Sequence, residues 1–541
     1  MRKIFLYDTT LRDGTQGASV SFTSEEKLAI CHRLDEFGVH YIEGGWPGSN
    51  PRDLHFFELA KTAQFKNAKL TAFSSTRRAN TAVEKDMNLK ALLDSEAPVI
   101  AMFGKSWDLH VEKALCTTLE ENLAMIYESV VYFKQMGREV VYDAEQFFDG
   151  FKNNSDYALQ TLMAAVDGGA DFITLCDTNG GSLPSEIRDI MISVKTSLEK
   201  KYGSGKAIRY GIHTHNDSGM AVANSIVAVE EGAVMVQGTI NGYGERTGNA
   251  DLTSIIPILK LKMGFDCVSN ENLAGLTNLA RYISETANMT PLNSRPFVGK
   301  NAFAHKAGVH VNAVMKEPTS YEHMDPVLVG NQRRVLVSDL SGKSNIEFKA
   351  HEFGFEFSDD SLDSRRIVTE IKRLEQDGYQ FDVAEGSFKV LMEKLTERFK
   401  PLFKLESLRI TMEKDKDDIS HVHAVLKVRV GDEIEITAAD GIETVDVLDR
   451  ALRKALSKYY PEVDTMRTID FNIRVIEGHN GKASRSRVLI ESTDKEHRWS
   501  TMGVSENVVE ACWQALADSY QYKLSTDRRQ PAGTDRPQKV R

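Results

Sequence analysis

The sequence predicts an α/β chain in which a (β/α)8 TIM barrel is followed by a helical connecting region and a C-terminal α+β domain with an internal repeat. Three observations support this prediction. Short β-branched or aromatic runs alternate with helical patterns up to about residue 240, the alternation fades after about residue 270, and a strand and helix pattern recurs after 64 residues near the C-terminus. The expected segments are a barrel at 1–270, connecting helices at 271–400, a C-terminal domain at 401–522 and a disordered tail at 523–541.

The eight strand-like runs of the first segment lie roughly 25 to 40 residues apart, and each is followed by a helix-like stretch. This spacing fits a (β/α)8 barrel of about 250 residues, with a doubly wound open sheet as the alternative. The runs cover residues 4–7, 39–42, 70–73, 99–103, 139–142, 172–175, 208–212 and 234–238.

Polar side chains cluster after these runs, which favours the barrel because barrel enzymes build their active site at the C-terminal ends of the strands. Taken singly, each of these residues is equally suited to cap a helix or form a turn. Closure of a barrel, however, brings the loop after the first strand beside those after the seventh and eighth. The polar stretches are residues 8–16, Glu43, 143–145, 177–179, 213–217 and 241–250.

His213 and His215 are the first candidates for a metal site, because two imidazoles two residues apart on a strand point to the same face. Alone, the pair could equally be satisfied polar neighbours in a strand. Barrel closure would add Asp13 and Asn249 to them. This mixed nitrogen and oxygen set suits Mg²⁺, Mn²⁺, Zn²⁺ or Fe²⁺ and lacks the thiolates of structural zinc, so it predicts a catalytic site.

Composition narrows the class of protein. The 541 residues should form two to four domains, and 41% hydrophobic with 27% charged residues is typical of a globular protein. A formal charge of −11 argues against broad binding to nucleic acid or anionic membranes. Five scattered cysteines without a Cys-x-x-Cys pair, no signal-peptide core and no membrane-spanning apolar run favour the cytoplasm.

Three motifs, in order, resemble the signatures of the 2-isopropylmalate, homocitrate and citramalate synthases, whose metal-dependent barrel is similar to that of the 3-hydroxy-3-methylglutaryl-CoA lyases. They are DTTLRDGTQ at 8–16, HTHND at 213–217 and GYGERTGNA at 242–250. The segment GGWPGSNP at 44–51 resembles the citramalate branch most closely. The resemblance implies a Claisen-type condensation of acetyl-CoA with pyruvate and thioester hydrolysis, giving (R)-citramalate for a threonine-independent isoleucine pathway. The 2-isopropylmalate and homocitrate synthases remain alternatives.

The resemblance also implies roles for particular residues. Arg12 would face the substrate carbonyl and the developing enolate, and Thr178 would bind the carboxylate of the 2-oxo acid. Gly242 and Gly244 would lie near acetyl-CoA. A divalent metal, Mg²⁺ or Mn²⁺ with Zn²⁺ as a further candidate, would be held by Asp13, His213, His215 and Asn249.

Proton removal from acetyl-CoA requires a base, and the hypothesis pairs Glu145 with His310. By resemblance, His310 lies on a helical segment that often reaches a neighbouring subunit's barrel, and Tyr321 is the family's second contributor. The plainer interpretation is that His305 and His310 cap or line a helix. Asp143 points the same way as Glu145 and is an alternative structural partner.

The C-terminal repeat resembles the regulatory domain of these synthases, where an end-product amino acid binds at a dimer interface. Isoleucine is then the expected effector, and a homodimer or higher homo-oligomer the expected assembly. A pure dimerisation domain is the alternative. The repeat itself shows as two ββα-like units, whose helices place Val445, Leu448 and Leu452, then Val509, Cys512 and Leu516, on matching faces.

Three competing functions are weighed against these features. The glycine loop departs from the dinucleotide fingerprint, so a nicotinamide site is rejected. A carbon–carbon lyase is disfavoured, because the 3-hydroxy-3-methylglutaryl-CoA lyases carry an active-site cysteine in their glycine loop and the loop of this sequence has none. An inactive amino-acid sensor is disfavoured by the intact set of Arg12, Asp13, Glu145, His213, His215, Asn249 and His310.

Overall fold

The computed structural model describes residues 2–355, 362–396, 399–414, 416–417, 419–477, 484–494 and 496–527. These residues divide into two compact units. The barrel unit comprises Met1–Phe303 with Met324–Arg333, and the C-terminal unit comprises Ala304–His323 with Arg334–Arg541.

Eight parallel strands close into a barrel in sequence order, so both the predicted TIM barrel and all eight predicted strands are confirmed. Closure comes from pairing of the first strand with the eighth, with Phe5 opposite Met235 and Asp8 opposite Gly238. The strands are β1 (Phe5–Asp8), β2 (Tyr41–Gly45), β3 (Lys69–Ser75), β4 (Val99–Lys105), β5 (Glu139–Glu145), β6 (Phe172–Asp177), β7 (Tyr210–Thr214) and β8 (Met235–Gly238).

Helices surround the barrel, and several of them begin where the sequence supplies a capping side chain. The first starts at a capping box of Thr23 and Glu26, and the second at Asn50 followed by Pro51. The helices are α1 (Ser24–Phe37), α2 (Pro51–Ala60), α3 (Met87–Asp94), α4 (Asp108–Lys113), α5 (Leu119–Gln135), α6 (Phe147–Asn153), α7 (Ser155–Gly168), α8 (Pro184–Tyr202), α9 (Ala221–Glu230), α10 (Leu252–Pro257), α11 (Asn270–Leu273) and α12 (Leu276–Thr286).

Alternation along the strands creates two apolar layers. In β1, Leu6 packs with the buried residues of the helices, whereas Tyr7 belongs to the cluster that fills the barrel interior. That interior also contains Phe73, Val141 and Phe172. The barrel is therefore a packed core rather than a pore, and room for chemistry is left only at its ends.

The connecting region of the C-terminal unit is mainly helical, as expected, with one short parallel pair of strands. Arg334 and Val335 pair with Ala304 and His305. The elements are β9 (Ala304–His305), α13 (Gly308–Lys316), β10 (Arg334–Val335), α14 (Lys343–Glu352), α15 (Leu362–Gln376) and α16 (Glu385–Leu395).

The C-terminal repeat is confirmed, but each unit has three strands rather than the two that the sequence predicts. The two missed strands lie at the outer edges of their sheets and alternate weakly, because much of each strand is exposed. The elements are β11 (Lys404–Lys414), β12 (Ser420–Val430), β13 (Glu433–Gly441), α17 (Thr444–Leu456), β14 (Arg467–Ile476), β15 (Arg485–Thr493), β16 (Arg498–Ser505) and α18 (Val508–Asp527).

The predicted start of the disordered tail at residue 523 is wrong. Helix α18 continues to Asp527, since Leu524 is buried in the domain core and Lys523 forms an ion pair with Asp494 at 2.6 Å. The rest of the predicted tail, 528–541, lies outside the described residues.

Two chemical expectations can be compared with the described residues. All five cysteines are among them, and each carries a free thiol. No helix within the described ranges combines the length and the apolar character that crossing a bilayer would require.

Candidate active site and metal centre

Three of the predicted metal ligands converge at the C-terminal mouth of the barrel. Asp13 follows β1, His213 lies in β7 and His215 comes just after that strand. The Nε2 atoms of the two histidines are 3.3 Å apart and lie 3.4 and 3.8 Å from Asp13 Oδ2. Within the described residues, this is the one group of three or more acidic, histidine or cysteine side chains close enough to share a cation.

The burial of this group makes a cation chemically reasonable. Asp13 is 3% exposed, and His213 and His215 are 6% and 5% exposed. Asp13 Oδ1 and Asn249 Oδ1 are buried and have no hydrogen-bond partner among the described residues. Unpartnered buried acceptors are costly unless another group satisfies them, so the residues present fit a divalent metal.

The fourth predicted ligand, Asn249, is held beside His215 by a backbone bridge between the two residues. Its Nδ2 donates to the carbonyl of Tyr243 at 3.2 Å, which leaves the side-chain oxygen available. Gly244 has a φ of +157°, and a Cβ there would lie 2.1 Å from the Asn249 amide nitrogen. The glycine loop therefore makes room for Asn249, in addition to the role near acetyl-CoA predicted for Gly242 and Gly244.

Arg12 lies beside this group in a fixed position. Its guanidinium is 3.3 Å from Asp13 Oδ2 and stacks over the ring of Phe73 at 3.8 Å. Glu43 lies within β2, is fully buried and accepts hydrogen bonds from Arg12 Nε and from Tyr7 Oη. The carboxylate of Glu43 thus balances and orients the buried charge of Arg12.

Glu145 and Thr178 also lie at this mouth, at the ends of β5 and β6. Lys105 Nζ donates to Glu145 Oε2 at 2.5 Å, so the predicted base is held by a cation from the neighbouring strand. The hydroxyl of Thr178 accepts from the backbone of Gln146 at 2.9 Å, and its own hydrogen is still available to a carboxylate. Arg246 donates to the Thr178 carbonyl at 2.7 Å.

His310 and Tyr321 belong to the C-terminal unit, and the structure brings these two residues together. Their rings are 4.4 Å apart, and both side chains are exposed. His305 instead pairs with Glu322 at 3.0 Å and is largely buried, as expected of a structural histidine. The pairing of His310 with Glu145 stays a prediction.

Family models match nearly the whole chain in three consecutive segments. Residues 3–283 match the HMGL-like family, 297–378 match "Homocitrate synthase post-HMGL domain-like", and 382–524 match the "LeuA allosteric (dimerisation) domain". The first match covers the barrel and its candidate site.

Similarity to individual proteins shows to which of the related synthases this chain is most similar. The chain is 51% identical to the (R)-citramalate synthase of Aquifex aeolicus and 51% identical to that of Geobacter sulfurreducens, over 97% of this chain and 98% of each relative. The chain belongs to the (R)-citramalate synthase family. The 2-isopropylmalate synthase of Bacillus thuringiensis is a more distant relative, 30% identical over 95% of this chain and 97% of its own.

Burial and neighbouring charges tune the site of this (R)-citramalate synthase family member. Burial opposes ionisation of Asp13, but the charge of Arg12 and the contact with His213 hold the pKa of that carboxyl well below its usual range. Burial, followed by the proximity of His213, lowers the pKa of His215 to about 4. At neutral pH Asp13 is therefore anionic and His215 neutral, which are the forms that bind metals.

Sequence reasoning missed a second layer behind the histidines. His213 Nδ1 lies 3.0 Å from Gln237 Oε1, and Gln237 Nε2 donates to Asp143 Oδ1 at 2.8 Å. Burial raises the pKa of Asp143 to about 6, so this carboxyl is still largely ionised at neutral pH. The available signal was a polar glutamine in the otherwise apolar β8 run, together with the strand pairing that a barrel implies.

Proposed function

We propose that the chain catalyses the (R)-citramalate synthase reaction, the condensation of acetyl-CoA with pyruvate followed by hydrolysis of the thioester. The observation that carries this proposal is the 51% identity to curated (R)-citramalate synthases over 97% of the chain. The buried cluster at the barrel mouth provides the chemistry that such a condensation needs.

A divalent cation, Mg²⁺ or Mn²⁺ with Zn²⁺ as a further candidate, would be held by four side chains of the barrel unit. When bound, such a cation supplies Lewis acidity toward the ketone and carboxylate oxygens of pyruvate. The site offers nitrogen and oxygen donors without thiolates, which favours the hard and borderline cations. The proposed ligands are Asp13, His213, His215 and Asn249.

Arg12 and Thr178 would orient pyruvate. Arg12 is permanently cationic, and its position beside Asp13 would put positive charge near the ketone oxygen that becomes negative during condensation. The hydroxyl of Thr178 would donate a hydrogen bond to the carboxylate. Glu43 keeps Arg12 in place without occupying all of its donors.

Glu145 and His310, supported by Tyr321, are the proposed proton-transfer groups. Loss of a methyl proton from acetyl-CoA to this base leaves an enolate, whose carbon attacks the ketone carbon of pyruvate. The ketone oxygen then takes up a proton, and water cleaves the thioester to give CoA and (R)-citramalate. Lys105 would keep the Glu145 carboxylate oriented through these steps.

The C-terminal domain would serve assembly and regulation. Its match to a LeuA allosteric (dimerisation) domain supports oligomerisation. We infer that the assembly is a homodimer or higher homo-oligomer, that isoleucine is the effector and that the enzyme works in the cytoplasm.

The proposal is tested by incubating purified protein with acetyl-CoA, pyruvate and Mg²⁺ while following free thiol. We expect CoA release that depends on pyruvate and on the metal, and that is lost in Asp13→Ala. Rates with 2-oxoisovalerate and 2-oxoglutarate provide the comparison, and pyruvate should be preferred. Absence of CoA release would refute the synthase function, and a faster rate with another 2-oxo acid would reassign the substrate.

A further inference from the structure

Gln237 is the side chain behind the candidate metal site that neither the motifs nor the proposed mechanism uses. It lies in β8, fully buried, directly opposite His213 in the pairing of β7 with β8. Three hydrogen bonds surround its amide group, to His213, Asp143 and Thr174.

The orientation of this amide is determined by its partners. Gln237 Nε2 lies 2.8 Å from Asp143 Oδ1 and 3.2 Å from Thr174 Oγ1, so both of its hydrogens have acceptors. The flipped amide would bring its oxygen to 2.8 Å from the Asp143 carboxylate, where two acceptors repel each other. The amide oxygen must therefore face His213.

This orientation also fixes the tautomer of His213. Gln237 Oε1 can only accept a hydrogen bond, so His213 Nδ1 must carry a proton and donate it across the 3.0 Å contact. The neutral ring then has its lone pair on Nε2, the atom that faces His215 Nε2 and Asp13 Oδ2 at 3.3 and 3.4 Å. Three acceptor atoms thus converge on one point, as a cation requires.

We propose that Gln237, oriented by Asp143, is a positioning residue that keeps the Nε2 lone pair of His213 directed at the cation. The two histidines differ in this respect, because His215 Nδ1 has no hydrogen-bond partner among the described residues. The hydrogen-bonded relay of His213, Gln237 and Asp143 joins the metal site to β5, the strand that ends in the proposed base Glu145. The inference rests on the divalent-metal site of the proposed function but on no particular substrate.

The test is calorimetric titration of the full-length protein with Mn²⁺ in the absence of substrate. Gln237→Met keeps the approximate volume and removes every hydrogen bond, and we expect it to weaken Mn²⁺ binding by about 10- to 100-fold. The matched control is Asn224→Leu, which removes another fully buried amide whose partners, Ser182 and Asp177, are not part of the relay. The control should lose stability but bind Mn²⁺ as the parent does.

Exchanging the amide and the carboxylate between positions 237 and 143 tests whether the residue at 237 orients the His213 ring or only packs against it. In Gln237→Glu with Asp143→Asn, the carboxylate introduced at position 237 accepts from His213 Nδ1 and from the amide introduced at position 143. The relay is then restored with donor and acceptor exchanged. We expect the double variant to recover Mn²⁺ affinity to within about fivefold of the parent, whereas Gln237→Glu alone, with two carboxylates in contact, should not. Thermal unfolding of the metal-free proteins verifies that each variant is folded.

Two results would overturn the inference: Mn²⁺ binding by folded Gln237→Met within about threefold of the parent, or failure of the double variant to recover affinity. Either can occur while CoA release by the parent upholds the proposed function. A parent that binds no Mn²⁺ would instead remove both the metal site and the role of Gln237.

Discussion

The two ends of the same barrel hold charged side chains in very different ways. At the N-terminal end, a cavity of about 490 Å³ is lined by Lys69, Lys134, Glu139 and Asp171 among others. Its charges form ion pairs and remain partly exposed, as with Lys69 of β3 and Glu139 of β5 at 53% and 17%. Such pairs stabilise the closed barrel modestly.

At the C-terminal mouth the charged side chains are buried, and their hydrogen bonding is incomplete among the described residues. Arg12, Asp13 and Glu43 lie together with side chains at most 13% exposed, and acceptor atoms of Asp13 and Asn249 have no partner among the described residues. Buried polar atoms without partners are unfavourable in folding and need a bound group to satisfy them. Incomplete hydrogen bonding of buried atoms, rather than cavity volume, therefore distinguishes the end of the barrel that carries the candidate site.

The largest effect is expected from Asp13→Asn at the mouth. The change removes the one anionic oxygen that both histidines face, so metal and substrate should bind poorly together. Because a bound metal contributes several kcal/mol to catalysis, kcat/KM for pyruvate should fall by about 10³-fold or more. Steady-state assay of CoA release measures the loss, and a fall of less than about tenfold would contradict a ligand role for Asp13.

A smaller effect is expected from Glu43→Gln, which removes the charge that orients Arg12. Displacement of a substrate-positioning group by about 1 Å costs about 10²-fold in rate, so kcat should fall by that order while Mn²⁺ affinity changes little. Tyr7→Phe removes only the neutral hydrogen bond to Glu43 and should cost less than about tenfold. Equal losses in both variants would show that the charge of Glu43 is unimportant.

Substitution of Arg246 tests the contribution of hydrogen bonds at the rim of the barrel mouth. Its guanidinium forms two hydrogen bonds with Asp217, at 2.8 and 2.9 Å, and a third with the carbonyl of Thr178. Arg246→Lys cannot form the paired contacts, and since these groups are partly exposed we expect KM for pyruvate to rise by only about three- to tenfold, with kcat retained. The control is Arg188→Lys, which alters a similarly exposed arginine paired with Glu230 on the surrounding helices and should leave KM unchanged. A fall in kcat alone in the Arg246 variant would point to a different role.

The smallest effect belongs to the N-terminal end. Lys134 donates to Asp171 at 2.6 Å with both side chains partly exposed, so Lys134→Met should lower the free energy of unfolding by about 0.5–1 kcal/mol. Denaturant unfolding measures this change, and kcat and KM should stay within about twofold of the parent. A large loss of activity would show that the two ends of the barrel are not functionally separate.

Much of this architecture could be predicted from the sequence because barrel strands are apolar on both faces and recur at regular intervals. The convergence of Asp13 with His213 and His215 followed from closure of the barrel alone. Gln237 was missed because a single polar residue in an apolar run reveals neither the face to which it points nor its partners. The Lys105 contact with Glu145 depends in the same way on register between strands.

In the C-terminal domain, fewer of the strand and helix boundaries could be predicted from the sequence. Strands β12 and β15 were recognisable because one face of each is buried, whereas β11 and β14 lie at sheet edges and show little contrast between their faces. The end of α18 was placed too early because its last residues are polar. Lys523 is nevertheless largely buried, since an ion pair with Asp494 compensates its charge.

Mn²⁺ titration of three variants tests most directly whether the barrel mouth holds the cation while His310 serves proton transfer. His213→Ala and His215→Ala should both lose Mn²⁺ affinity and CoA release. His310→Ala should bind Mn²⁺ within about threefold of the parent and still lose turnover, because no metal-ligand atom has been removed. An equal loss of Mn²⁺ binding in His310→Ala, or parent-like binding in His213→Ala, would contradict this division of labour.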